Sequence, residues 1–139
     1  MAKEMIKGVI ITPNGLGVFE IKHTFENLKM LLDIDSPVDI QSRKIGDKYY
    51  DIWLDDEGLF KAEKGHLKGT ALCKDAAEIL VGNILILNSN EEGETTSLSE
   101  EDIENVKAHY IEGKMSKGYS TCVGMSIVDF NGRLEYTIR

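Results

Sequence analysis

Between Ile79 and Leu87 the chain places apolar side chains on consecutive positions, interrupted only by Gly82-Asn83. A strand with one wet face alternates apolar and polar residues; a run without alternation belongs in the interior. The stretch is therefore expected to be a central strand, bent at the glycine, and the rest of the chain must supply its neighbours. It falls far short of the roughly 20 residues of a membrane-crossing helix.

Candidate neighbours are easy to find. Met5 to Thr12 is rich in β-branched residues. Pro13-Asn14-Gly15 is a turn signal, and Gly17 to His23 reads as the return strand, with Val18, Glu20 and Lys22 on one face and Phe19 and Ile21 on the other. Val38 to Ile45, a turn at Gly46-Asp47, Tyr49 to Leu54 and a turn at Asp55-Asp56-Glu57-Gly58 leading into Leu59-Phe60 make a meander, the local mark of antiparallel pairing. Thr24 is placed to cap a helix whose apolar stripe is Phe25, Leu28, Leu31 and Leu32, ending by Ser36-Pro37. A second helix starts at the cap Ser99, with Leu98 stapled onto Ile103; Val106 and Tyr110 continue its stripe and Gly113 stops it. Ala71, Leu72, Ala76 and Ala77 suggest a short helix, although residues 61–78 read ambiguously between helix and loop. At the end, Tyr119 to Phe130, the two-residue turn Asn131-Gly132 and Leu134 to Ile138 read as a β-hairpin. The expected fold is α+β, a mostly antiparallel sheet with two main helices packed on one face and a C-terminal hairpin.

Composition narrows the function classes. With 139 residues, 42% of them hydrophobic, the chain has the size of one domain and can build a core without staples. Two cysteines, Cys73 and Cys122, form no disulfide framework, and the opening MAKEMIKG lacks the apolar core of a signal peptide, so a cytoplasmic protein with reduced thiols is expected. A net charge of −8 argues against non-specific nucleic-acid binding, which needs clustered Lys and Arg.

The charge is uneven. Residues 91–112 carry Glu91, Glu92, Glu94, Glu100, Glu101, Asp102, Glu104 and Glu112 against Lys107, whereas residues 113–139 carry Lys114, Lys117, Arg133 and Arg139 against Asp129 and Glu135. The acidic helix start, Glu100, Glu101, Asp102 and Glu104, suits a basic partner protein; the basic tail, Lys114, Lys117, Arg133 and Arg139, suits a phosphorylated small molecule. Other patterns fall short of their chemistry. His23, His66 and His109 lack the paired spacing of a metal site. Cys73 has no Cys-x-x-Cys partner, and Lys74 beside it is the only feature favouring a thiolate. Gly113 to Gly118 follows a helix and precedes a strand, the reverse of a phosphate-binding loop. Asn88-x-Asn90-x-Glu92-Gly93 imitates half of a calcium loop but puts Ser99 where the bidentate glutamate belongs. No metal, cofactor or catalytic residue is assigned.

Several segments in order resemble a known family. They are Ile21-Lys22-His23-Thr24-Phe25-Glu26-Asn27-Leu28, the turn Leu54-Asp55-Asp56-Glu57-Gly58-Leu59, Ile79-Leu80-Val81-Gly82-Asn83-Ile84-Leu85-Ile86, and the Ser-Leu-Ser-Glu-Glu-Asp-Ile helix start at 97–103. Together, over residues 6–111, they resemble the domain-of-unknown-function family 3846, found on phages and mobile elements. The chain lacks the proline that usually follows the family's Asp-Glu-Gly turn, and it adds a segment after the last helix. The resemblance transfers no catalytic residues and implies a mobile-element setting. It divides the expected single domain, 1–139, into a family-like core at 1–112 and a hairpin extension at 113–139. The expected function is a non-enzymatic binding protein that inhibits or sequesters a component of host defence, either a protein such as a nuclease or a signalling nucleotide. An enzyme acting on a small molecule or nucleotide, and a structural oligomerisation module, are the alternatives. A terminal strand at a sheet edge also suggests a homodimer.

Overall fold

The computed structural model of the chain describes residues 4–12, 15–58, 69–73, 78–112 and 125–128, with the backbone alone at 69–73, 78–81, 111–112 and 125–128. The first four elements after the N-terminus are β1 (Met5–Thr12), β2 (Gly15–Lys22), helix α1 (Phe25–Leu32) and β3 (Val38–Ile45). Next come β4 (Lys48–Asp55), β5 (Gly69–Cys73), β6 (Glu78–Val81), β7 (Ile84–Ser89) and β8 (Thr95–Thr96). Helix α2 (Glu100–Ala108), β9 (Ile111–Glu112) and β10 (Met125–Val128) complete the order. None of the described helices is long and apolar enough to cross a membrane.

The main sheet runs β2-β1-β7-β4-β3, antiparallel throughout, with β8 paired to the end of β7. The expected central strand is indeed central, but it is shorter than the apolar run. Gly82, at φ +83°, breaks the run in two. Its first half, β6, belongs to a separate sheet of order β6-β5-β10-β9, and its second half, β7, sits between β1 and β4. In the second sheet β5 and β10 run parallel, the one parallel pair among the described strands. Ala71 and Leu72 lie in β5, which corrects the expected helix there; Ala76 and Ala77 lie outside the described residues. Leu59-Phe60, Tyr119 to Gly124 and the hairpin partner Leu134 to Ile138 also lie outside them.

Helices α1 and α2 cover opposite faces of the main sheet, which corrects the expectation that the two main helices pack on one. Register makes the point. Val9, Ile86 and Ile52 are cross-strand neighbours and share a buried cluster with Tyr50, Ile84 and, from the α2 segment, Leu98, Ile103 and Val106. Their immediate chain neighbours Ile10, Leu85 and Trp53 point the other way, into a cluster with Leu28 and Leu32 of α1. The physical reason is the consecutive apolar run itself: Ile84 to Leu87 are all fully buried, so both faces of β7 need a cover. The architecture is α+β in three layers, with α1, the sheet and α2 stacked in that order.

Each helix is positioned by its ends. Thr24 caps α1, its hydroxyl accepting from the Asn27 amide at 3.1 Å. The helix stops at Leu32, short of the expected Ser36-Pro37, because Asp33 takes the left-handed conformation and its amide bonds the Met30 carbonyl. Phe25, expected in the buried stripe, is half exposed and tilts against Trp53 at 6.2 Å between ring centres. On the other face α2 ends at Ala108, before the expected Gly113. The loop of 88–96 is shorter than expected, since β7 runs to Ser89 and pairs with β8.

Gly8 of β1 is crowded by side chain and backbone of its neighbours in the sheet, β7 and β2. A Cβ there would meet Leu87 Cδ2 at 2.6 Å, the Ile86 carbonyl oxygen at 2.7 Å and Phe19 Cζ at 2.9 Å. A contact with backbone cannot be relieved by a rotamer change. Gly8→Ala should therefore destabilise the fold by about 1–3 kcal/mol, read as a lower midpoint in urea at an unchanged slope; an unchanged midpoint would contradict this packing.

Candidate functional site

The densest polar chemistry among the described residues gathers around Asp102, at the start of α2. Ser99 and Asp102 form a reciprocal cap: the Asp102 amide donates to Ser99 Oγ at 3.0 Å, and the Ser99 amide donates to Asp102 Oδ2 at 3.2 Å. The same carboxylate reaches beyond its helix. Lys48 Nζ donates to Oδ1 at 2.6 Å and Tyr50 Oη donates to it at 3.1 Å, both from β4, where period two puts them on one face. Asn88 Nδ2, at the end of β7, donates to Oδ2 at 2.8 Å. A second layer follows along α2: Asn105 Nδ2 donates to Tyr50 Oη and to the Ile45 carbonyl, each at 3.0 Å. Since a carbonyl only accepts, the 2.9 Å contact of His109 Nδ1 with the Asn105 carbonyl fixes the Nδ1–H form of that ring. Gly46, with φ +65°, makes room for this layer; a Cβ there would stand 2.8 Å from both Asn105 Oδ1 and His109 Cε1.

The electrostatics follow from these contacts. Burial alone would raise the Asp102 pKa, but the bonds from Lys48, the Ser99 backbone and Asn88 outweigh it and hold the carboxyl well below the usual range. Tyr50 is pushed up to about 12, by burial first and then by its bond to the anionic Asp102, with Asn105 opposing. Chemically the cluster is an anchor. A carboxylate whose lone pairs already serve four donors is poorly placed as a base, and a phenol held protonated by its neighbour is poorly placed as a nucleophile.

The residues proposed from sequence separate accordingly. Asp102 is buried and bound internally, which corrects its assignment to a binding surface: a charged residue at the third helical position completes the cap instead of facing solvent. Glu100 is exposed but pairs with Lys7 Nζ of β1 at 2.6 Å, which lowers the Glu100 pKa and raises that of Lys7. Glu101 and Glu104 face solvent, with Lys107 a loose 3.9 Å from Glu104. Lys114, Lys117, Arg133 and Arg139 lie outside the described residues, as do His66, Cys122 and the 113–118 connector. Sequence reasoning missed Lys48, Tyr50, Asn88 and Asn105. The available signal was the capping-box aspartate, which needs partners once the helix packs, and the alternation of Lys48 with Tyr50 opposite it.

Two further polar features lie near the N-terminal side of α2. The turn at 90–94 closes on itself: Asn90 Oδ1 accepts from the amides of Glu92 and Glu94, and Asn90 Nδ2 donates to Glu94 Oε1. An open polar cleft of 740 Å³ lies beside it, lined by Glu4, His23, Asn90, Glu94 and Ser97 among others. Among the described residues no group of three or more His, Cys, Asp or Glu side chains is arranged to hold a metal ion.

Asp102→Asn would turn an amide NH2 towards donors and should cost about 2–3 kcal/mol at neutral pH. The folded carboxyl lies below its unfolded value of about 3.9, so its contribution is complete above that value. It is lost as pH falls through it towards the folded pKa. Melts between pH 7 and pH 2 should show wild type losing its advantage over the variant at the acid end; parallel curves would refute the anchor.

Neither a curated protein nor a solved structure matches the chain. The family described as Domain of unknown function (DUF3846) matches residues 6–111, a span holding the main sheet from Ile6 onward together with α1 and α2, and the chain belongs to that family.

Proposed function

We propose that the chain is a non-enzymatic binding protein of phage or mobile-element origin that inhibits or sequesters a component of host defence, and that its target is a protein with a basic surface. The observation that supports this most is the division of the acids around α2. Asp102 and Glu100 are spent on holding the helix, whereas Glu101 and Glu104 project from it and Glu91 and Glu92 project from the turn preceding β8. Exposed carboxylates on an anchored helix offer a fixed pattern of charge at little ordering cost on binding, the arrangement that favours electrostatic recognition. A signalling nucleotide as target would draw on Lys114, Lys117, Arg133 and Arg139. Among the described residues, an enzyme would draw on the cleft beside His23.

Glu101→Lys with Glu104→Lys should leave the melting temperature near wild type and reduce capture of the partner from lysate of the native host roughly tenfold or more, with capture by wild type falling as salt rises. Native mass spectrometry of protein from that host gives the stoichiometry and any retained ligand. Retained nucleotide with indifference to the reversal would transfer the proposal to the basic tail. Multiple turnover of a nucleotide by purified protein would end the binding reading.

A further inference from the structure

The C-terminal end of α1 holds an unusual combination. Met30 is 65% exposed, the most exposed large apolar side chain among the described residues. With half-buried Ile34 it walls a hollow of 440 Å³ that is also lined by Asp33 and Asp35. Both carboxylates are exposed, and among the described residues neither makes an ion pair or a side-chain hydrogen bond. The other charged side chains of α1 are exposed Glu26 and half-buried Lys29.

Local stability favours neither aspartate. A helix C-terminus carries partial negative charge and is stabilised by cations, so Asp33 and Asp35 oppose it. Asp33 also stands at φ +58°, the single non-glycine residue with positive φ among those described, at a capping position where glycine or asparagine is the usual choice. The helix end and the two carboxylates, with no cation paired to them among the described residues, concentrate negative potential beside an apolar wall.

We infer that this hollow is a docking site for a basic segment of a partner protein, which lays the aliphatic stem of an arginine or lysine along Met30 and Ile34 and sets the cationic head against Asp33 and Asp35. A long basic side chain is apolar along its stem and charged at its tip, and the hollow offers the complement of both parts. Charge complementarity selects this occupant: a second copy of the same acidic face would be repelled, and an apolar helix would leave the carboxylates unmatched. The site lies on the opposite face of the sheet from α2, so it stands independently of the Glu101 and Glu104 surface.

The test is a backbone-amide NMR titration of the full chain with N-acetyl-arginine methylamide. Guanidinium chloride serves as the head alone and N-acetyl-norleucine methylamide as the stem alone. Saturable shifts are expected at residues 30–35, with each half-probe binding roughly tenfold more weakly. Asp33→Asn and Met30→Ala should each weaken binding, whereas Glu101→Lys with Glu104→Lys should leave it unchanged. Asp33→Gly separates function from structure: it should abolish the titration while raising the thermal midpoint by about two to four degrees. Equal response to guanidinium alone, no saturable shift at residues 30–35, or a lowered midpoint for Asp33→Gly would each overturn the inference. Failure here with the α2 reversal still blocking capture would remove this site and leave the acidic surface of α2 standing.

Discussion

Four consecutive buried residues, Ile84 to Leu87, set the terms for the rest of the molecule. A strand with no wet face needs a hydrogen-bonded neighbour on each edge and a layer over each side. β1 and β4 provide the edges, α2 covers the side of Ile84 and Ile86, and α1 covers the side of Leu85 and Leu87. The remaining features are ways of holding those covers in place. Asn83, at the bend before β7, donates to the Leu31 carbonyl and so ties the central strand to the end of α1. Leu98 donates its amide to the Lys7 carbonyl and brings the start of α2 onto β1.

The Asp102 cluster shows how a buried charge can serve this purpose. Its four partners come from three parts of the layer interface: Lys48 and Tyr50 from one strand, Asn88 from another, Ser99 from the helix cap. An apolar contact would hold α2 against the sheet equally well but would tolerate sliding along it. A carboxylate with four directional donors fixes the helix in rotation and translation together. The exposed acids on α2 inherit that fixed geometry.

Much of this was legible in the chain itself. β1, β3 and the caps Thr24 and Ser99 follow from local alternation and first-turn chemistry, which act within a few residues. The Leu98 and Ile103 staple is local in the same way, and both residues are buried in one cluster. The misjudged points were long-range. Which face a helix covers depends on strand register, and the consecutive apolar run already demanded two covers. Ala71 and Leu72 favour a helix by composition, but β5 gains its place by pairing with β6 and β10, the latter more than fifty residues away. Asp102 reads as one acid among several because its capping-box position is its one local mark, and Lys48, Tyr50 and Asn88, which surround its carboxylate, come from elsewhere in the chain.

The placement of β7 also bears on how the chain is made. β1 with β2, and β3 with β4, are hairpins between sequence neighbours, available as soon as each pair has left the ribosome. β7 lies between them in space but follows both in sequence, so the two hairpins cannot join until Ile86 has been synthesised to pair with Val9 and Ile52. Until then β1 and β4 each present an open inner edge with apolar residues on it, the kind of edge that recruits other chains. The central strand acts as a late wedge, and the nascent protein depends on translation outpacing encounters between unfinished copies.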